Sequence, residues 1–334
     1  MPGASHAERT IFMNILHDIH THNLFSNCCT DYTASTAAFL QKEAALGNRV
    51  FGLSNHVWDE RVPGASGWYR TQSIARCEEA RASLAHAPDG MRVLFGGETE
   101  YYACRDLLGM SPEGASHFDY LLFPHSHIHM RNEVMSDYPE ILEARAQMRA
   151  ELAERLPNLS EAQVTKMAAQ LKEADLIRLI PEMKTDVHRF VADAMVDSFR
   201  ALLAHPDFQR IAGQLPIAIA HCFAPCGFPH AEKNSILALL DDAALLDCFS
   251  SAAALGVFIE INTGAVSEVG TDLSKNEMIR IFRIAKSSGC RLTFGSDSHS
   301  VKDLENIRFG DLIASALALS PSDIAGFLQD GVRG

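Results

Sequence analysis

Apolar and polar positions along the chain follow two periods. Short apolar runs rich in Val, Ile, Leu and Phe occupy residues 14–20, 50–55, 92–97, 120–124, 217–221, 257–262 and 291–295, bounded by Gly, Pro or Asn. Runs of this length without strict alternation suit strands covered on both faces, as in a parallel sheet. Between them the period lengthens to that of a helix. Residues 33–46 carry Ala37, Leu40, Ala44 and Ala45 at helical spacing and stop at Gly47. Residues 241–255 carry Leu245, Leu246, Phe249 and Ala253 before Gly256, and residues 275–288 carry Met278, Ile281, Phe282 and Ala285 before Gly289. Helix, glycine, strand is the grammar of a parallel βα fold, and about seven such units predict an α/β barrel more than an open sheet.

One stretch breaks this rhythm. Residues 131–215 hold helical pattern and no clear strand, with candidate helices at 138–156, 160–171 and 186–204 and breaks at Pro157 and Pro181. They are expected to form a helical insertion at one end of the barrel. It would serve either as a lid that excludes water or as extra helices packed outside.

Composition narrows the class. The chain has 334 residues, 47% of them hydrophobic, enough for one domain over 1–334 with a full core. No apolar run is long enough to span a bilayer, and the first residues lack the layout of a signal peptide. The formal net charge of -13 disfavours a broad nucleic-acid-binding face, although metal ions can reverse the local sign of a pocket. The eight cysteines show no paired zinc-ribbon spacing. The expected setting is therefore cytoplasmic, with reduced thiols. Cys77, Cys248 and Cys290 are expected as core fillers.

The candidate chemistry lies at the strand ends. The first run ends in His17-Asp18-Ile19-His20-Thr21-His22, the second in Asn55-His56 and the third in Glu98. The fourth leads into His125, His127 and His129, the fifth ends in His221, and the last leads into Asp297-Ser298-His299. A lone histidine is weak evidence. Six strands delivering His, Asp or Glu at their C-terminal ends match where barrels carry catalytic groups. His20 and His22 are two apart, so on an extended strand end both face one way, and Asp297 and His299 repeat the pattern. Glu98 could bridge two ions with its two oxygens. The number of ligands predicts two or three divalent ions, with zinc, manganese or iron suited to imidazole plus carboxylate.

Taken together, His-x-His, Asn-His, Gly-x-Glu, the histidine cluster, Ala-His, Glu-Ile-Asn and Gly-Ser-Asp-x-His resemble the polymerase-and-histidinol-phosphatase (PHP) family from Asn14 to about Asp311, apart from the helical insertion. The resemblance implies a distorted (β/α)7 TIM-like barrel, up to three metals and phosphoester hydrolysis. It implies a first ion on His20, His22, Glu98 and Asp297. Glu98 would bridge to a second ion on His221 and one histidine of the fourth cluster, and His56 and His299 would hold a third. In the fourth cluster His127 is favoured and His125 is next, with His129 lying near the ligands or facing the insertion. Two departures stand out. Asn55 replaces an Asp common in the family, and Cys28 falls where some of its phosphatases place a histidine ligand. Cys28 is thus either a thiolate ligand or a loop cysteine. Cys222 and Cys226 are expected to pack or to lie just behind the ligands. Asn262 is expected to hydrogen-bond near the substrate.

The expected reaction is cleavage of a small phosphoester by a metal-bridging hydroxide, with Glu98, Asp297 and His299 as the catalytic set. Phosphate clamps are sought among Arg131, Lys184, Arg189, Lys233 and Lys302, with Arg189 and Lys184 preferred because they flank His188. Three rival readings are weaker. An amidohydrolase-type enzyme would be expected to carry a carbamylated lysine at a strand end, and none is present. A non-catalytic metal-binding protein would be expected to lose Glu98. A nuclease would need a basic groove. Substrate identity and oligomeric state are not legible.

Overall fold

Each apolar run becomes a strand in the computed structural model, which describes residues 13–129, 139–171, 173–178 and 186–333. In chain order these are β1 (His17–Asp18), β2 (Val50–Leu53), β3 (Arg92–Glu98), β4 (Tyr120–Pro124), β5 (Ile217–Ala220), β6 (Phe258–Asn262) and β7 (Leu292–Gly295). They form one seven-stranded sheet in the order β7-β6-β5-β4-β3-β2-β1, and every pair is parallel. Backbone hydrogen bonds join its two edges: Ile19 N donates to Phe294 O at 3.2 Å and Asp297 N to His20 O at 2.8 Å. A parallel bridge between Thr21 and Ser298 continues this seam. The protein is an α/β barrel of TIM type with seven strands.

The first apolar run divides in two. Asn14–Ile15 pairs antiparallel with Val332–Arg333, and only His17–Asp18 enters the barrel. His17 explains the break. Its Nδ1 donates to Gly331 O at 3.0 Å and its Nε2 accepts the Phe294 N–H at 3.1 Å, so one buried ring ties the C-terminal segment to the seam.

The outer helices follow the predicted spacing. They include α1 (Thr36–Ala45), α2 (Ile74–Arg81), α3 (Pro139–Arg155), α4 (Glu161–Ala169), α5 (Val187–Ala204), α6 (His230–Leu237), α7 (Asp242–Ala254), α8 (Thr263–Val269), α9 (Glu277–Ser287) and α10 (Phe309–Ala316). Ser35, Asp241 and Asn276 cap α1, α7 and α9 by accepting a backbone N–H at the first turn. Inside the barrel the Tyr120 ring fills the space left at Gly96, where a Cβ would collide with it, and its hydroxyl donates to Ile19 O at 2.5 Å.

The region expected as an insertion contains two kinds of helix. Val191, Met195, Phe199 and Leu202 of α5 are buried in the main core with Phe223 and Phe249, so α5 belongs to the layer around the barrel. Ala144 of α3, with Leu176 and Ile177 of the short helix Glu173–Ile177, packs instead on Trp58, Tyr69 and Tyr102 in a second apolar cluster. Among the described residues no helix is long and apolar enough to cross a membrane.

Candidate metal centre

The strand ends converge on one cluster at the C-terminal end of the barrel. His20 Nε2 lies 3.0 Å from His22 Nε2, 3.3 Å from Glu98 Oε2 and 3.4 Å from Asp297 Oδ1. His22 Nε2 lies 3.2 Å from Glu98 Oε2 and 3.3 Å from Asp297 Oδ1. His56 Nδ1 is 3.2 Å from Glu98 Oε2, and His221 Nε2 is 2.9 Å from Glu98 Oε1. Glu98 therefore turns one oxygen toward His20, His22 and His56 and the other toward His221. His299 stacks on His22 at 4.7 Å between ring centroids, and His127 stacks on His221 at 4.7 Å.

These donors form overlapping groups whose ligand atoms lie within 4.8 Å of one another. The groups are His20, His22 and Asp297; His20, Glu98 and His221; His127, His221 and Cys226; and His22, Cys28, His56 and His299. The expected residues His20, His22, His56, Glu98, His127, His221, Asp297 and His299 are thus brought together, with Cys28 beside them.

The donor set fits divalent cations. Two imidazole nitrogens 3.0 Å apart between two carboxylates suit a shared cation better than a hydrogen bond between rings. Electrostatics lead to the same requirement. Burial opposes charge on His20, yet the Glu260, Asp297 and Glu98 carboxylates outweigh it and hold its pKa well above the ordinary value. Burial likewise opposes charge on Glu98 and Asp297. The histidines outweigh it, His56 and His20 foremost at Glu98 and His20 and His22 foremost at Asp297, so both carboxylates titrate far below the usual range. The pocket is built for positive charge, which protons carry in the absence of an ion. Buried His22 Nδ1 and His221 Nδ1 have no protein hydrogen-bond partner.

Carboxylates behind the rings orient them. Glu260 Oε1 accepts from His20 Nδ1 at 2.7 Å, and Glu260 Oε2 accepts the His221 N–H at 2.5 Å. Glu100 Oε2 accepts from His127 Nδ1 at 2.9 Å. The two ring contacts each leave Nε2 of a neutral imidazole free to bind a metal. The Tyr69 hydroxyl stands 3.4 Å from both His56 Nδ1 and Glu100 Oε2. His221 (φ 30°) and Asp297 (φ 57°) both adopt left-handed backbone. Non-glycine residues hold such conformations at a cost of about 1–3 kcal/mol, and these outliers concentrate at functional sites.

Several sequence expectations need correction. His125 is not a free donor: its Nδ1 donates to Met195 O at 3.1 Å and its Nε2 accepts the Phe223 N–H at 2.9 Å. The chain turns into a 3-10 helix at Ser126–His129, so His125 and His127 diverge instead of sharing a face. Arg189 lies exposed on α5, where it donates to Leu239 O at 2.9 Å and borders a separate cavity with Arg200. Lys233 is buried in an ion pair with Glu268, and Lys302 is exposed. Lys184 and Arg131 lie outside the described residues. Asn262 is both a cap and a neighbour of the cluster: its Oδ1 accepts the Ala265 N–H, and its Nδ2 donates to Asp297 Oδ2 at 3.2 Å.

Sequence reasoning did not assign roles to Glu260, Glu100 and Tyr69, and it read Cys226 as packing or lying just behind the ligands. The Glu260 signal was present: a carboxylate inside an apolar run is an anomaly that calls for a partner. A cavity of about 480 Å³ opens beside the centre, lined by His221, Asp297, His299, Ser267, Glu268 and Asp303, among others.

Fold and site together define a parallel α/β barrel with a histidine–carboxylate cluster suited to metal ions at its C-terminal end. No family model matches the chain, and no curated protein matches it. Among solved structures it is similar to the crystal structure of histidinol phosphate phosphatase from Lactococcus lactis subsp. lactis Il1403 complexed with zinc, L-histidinol and phosphate, at 14% identity and a TM-score of 0.49, over 91% of this chain and 94% of that one.

Proposed function

We propose that this protein is a metal-dependent phosphatase of the polymerase-and-histidinol-phosphatase type, acting on a small phosphoester with two or three zinc, manganese or iron ions. The observation that supports this reading best is the two-sided placement of Glu98, one oxygen at 2.9 Å from His221 and the other at 3.2 Å from His56. Such a carboxylate suits a multi-ion centre. Divalent ions held there would make water more acidic near neutral pH and offset charge on the phosphoryl oxygens.

The chain's own groups would do the rest. Asp297 faces the cavity, with Oδ1 toward His20 and His22 and Oδ2 on the Asn262 amide. Asn262 fixes that carboxylate, which would hold an ion with His20 and His22 and orient the attacking water by accepting its hydrogen bond at Oδ2. His299 lines the same cavity, its Nδ1 donating to Asp297 O at 2.8 Å. Burial, then the nearby His22, lowers its pKa, so it stays neutral and keeps Nε2 as an electron-pair donor for an ion held with His22 and His56. The helices packed on Trp58 and Tyr69 would shield the His56 flank from water. The seven cysteines with described side chains are all free thiols, which supports a cytoplasmic setting.

The test is elemental analysis of the purified protein beside phosphate release from an aryl phosphate with added manganese or zinc. Two or three ions with release, both lost in Glu98→Ala, is the expected result. Absence of metal under every loading condition would overturn the reading.

A further inference from the structure

Two thiols face the histidine cluster. Cys77, Cys222, Cys248 and Cys290 are buried among core residues, whereas Cys28 and Cys226 are half-buried. The two come from different loops, Cys28 after β1 and Cys226 after β5, yet each stands with histidine nitrogens. Cys28 Sγ gathers with His22, His56 and His299, and Cys226 Sγ with His127 and His221, all within 4.8 Å. Their protein partners are local: Cys28 donates to Ser26 Oγ at 3.2 Å and Cys226 to Ala224 O at 3.6 Å.

Charge balance gives the placement a purpose. The flank at His22, His56 and His299 offers three imidazoles, and the flank at His127 and His221 offers two. The carboxylates around them are Glu98, with Oε2 at 3.2 Å from His56 and Oε1 at 2.9 Å from His221, Asp297, with Oδ1 at 3.3 Å from His22, and Glu100, with Oε2 at 2.9 Å from His127 Nδ1. Glu98 and Asp297 are also shared with His20, and Glu100 is turned to the back of the His127 ring. Shared in this way among two or three dications, these groups leave each flank short of negative charge in a buried site.

We infer that Cys28 and Cys226 are thiolate ligands, one on each flank, making this a mixed thiolate–imidazole–carboxylate centre. The inference rests on the metal-centre reading above. As an ion binds, each thiol releases its proton to solvent and its sulfur donates an electron pair to the metal; no oxidant is involved. Thiolates favour zinc and ferrous iron, and disfavour manganese and magnesium, which prefer oxygen ligands.

X-ray absorption at the zinc edge on fully loaded, full-length protein decides the matter. A sulfur shell at about 2.3 Å is expected beside nitrogen and oxygen at about 2.0–2.2 Å. The sulfur amplitude should fall by about half in Cys28→Ser and in Cys226→Ser and vanish in the double variant. Zinc should remain on His20, His22, Glu98 and Asp297 throughout. Zinc bound with nitrogen and oxygen neighbours alone would overturn the thiolate inference and leave the metal centre standing. A sulfur shell that persists in the double variant would overturn the assignment to these two cysteines. Failure of the wild-type chain to take up zinc would overturn the centre as well. The wild-type spectrum remains decisive even if a variant does not fold.

Discussion

Glu260 joins two histidines from opposite parts of the chain: its Oε1 accepts from the His20 ring at 2.7 Å, and its Oε2 accepts the main-chain N–H of His221 at 2.5 Å. One carboxylate on β6 thereby sets the ring of a residue after β1 and the backbone of a residue after β5.

Glu260→Gln keeps the shape and removes the charge. Metal affinity is expected to fall about 10–100-fold, the usual cost of losing a carboxylate behind a ligand histidine. Competition with a chromophoric chelator measures it. Unchanged affinity in a folded variant would show that the Glu260 charge does not support the ligands.

Gly295 leaves the space in which this contact sits, since a Cβ there would collide with Glu260 and with His20 Cβ. Gly295→Ala is expected to cost about 1–3 kcal/mol by overpacking and to lower metal content as His20 is displaced. Urea unfolding and elemental analysis check the two effects separately. Loss of stability with full metal content would show that the cluster tolerates the shift.

His17 provides a pH test away from the ligands. Burial, the largest cause, lowers its pKa from 6.5 to about 4. The folded ring is then neutral while the unfolded chain takes up a proton first. Its stabilising effect is complete above pH 6.5 and is lost as pH falls toward 4, on the order of 3 kcal/mol in all. His17→Gln should be clearly destabilising at pH 7.5, and its deficit should shrink by about 2 kcal/mol at pH 5. A deficit independent of pH would contradict a neutral buried ring.

Ion removal should destabilise the whole barrel, because the donors lie at the ends of six strands. Dialysis against a chelator is expected to lower the Tm by about 5 °C, restored by zinc. An unchanged Tm would mean that the purified protein carried no ion.

Much of this was legible in the chain. The seven strands stand out because burial on both faces fills them mostly with apolar residues, Glu260 and Thr293 being exceptions, and the metal-type residues stand out because they gather where the strands end. What escaped depends on local turns. His125 and His127 diverge because the chain coils after Pro124, which the spacing of two does not reveal. Cys226 reaches His127 through a loop with positive φ at His221 and Phe223, a geometry that hydrophobic periodicity does not encode. Glu260 needed its partner across the barrel before its orientation had meaning. The outward position of Arg189 was hidden too, because proximity in sequence to His188 says nothing about which side of a helix faces the mouth.

The seam between β1 and β7 carries a consequence for biosynthesis. His20 and His22 leave the ribosome well before Asp297 and His299, and the two pairs meet only when the seam closes. A nascent chain halted before residue 297 holds most of the histidines and lacks the carboxylate that stands 3.4 Å from His20 Nε2 and 3.3 Å from His22 Nε2. Full metal capture would thus wait until synthesis has passed residue 299.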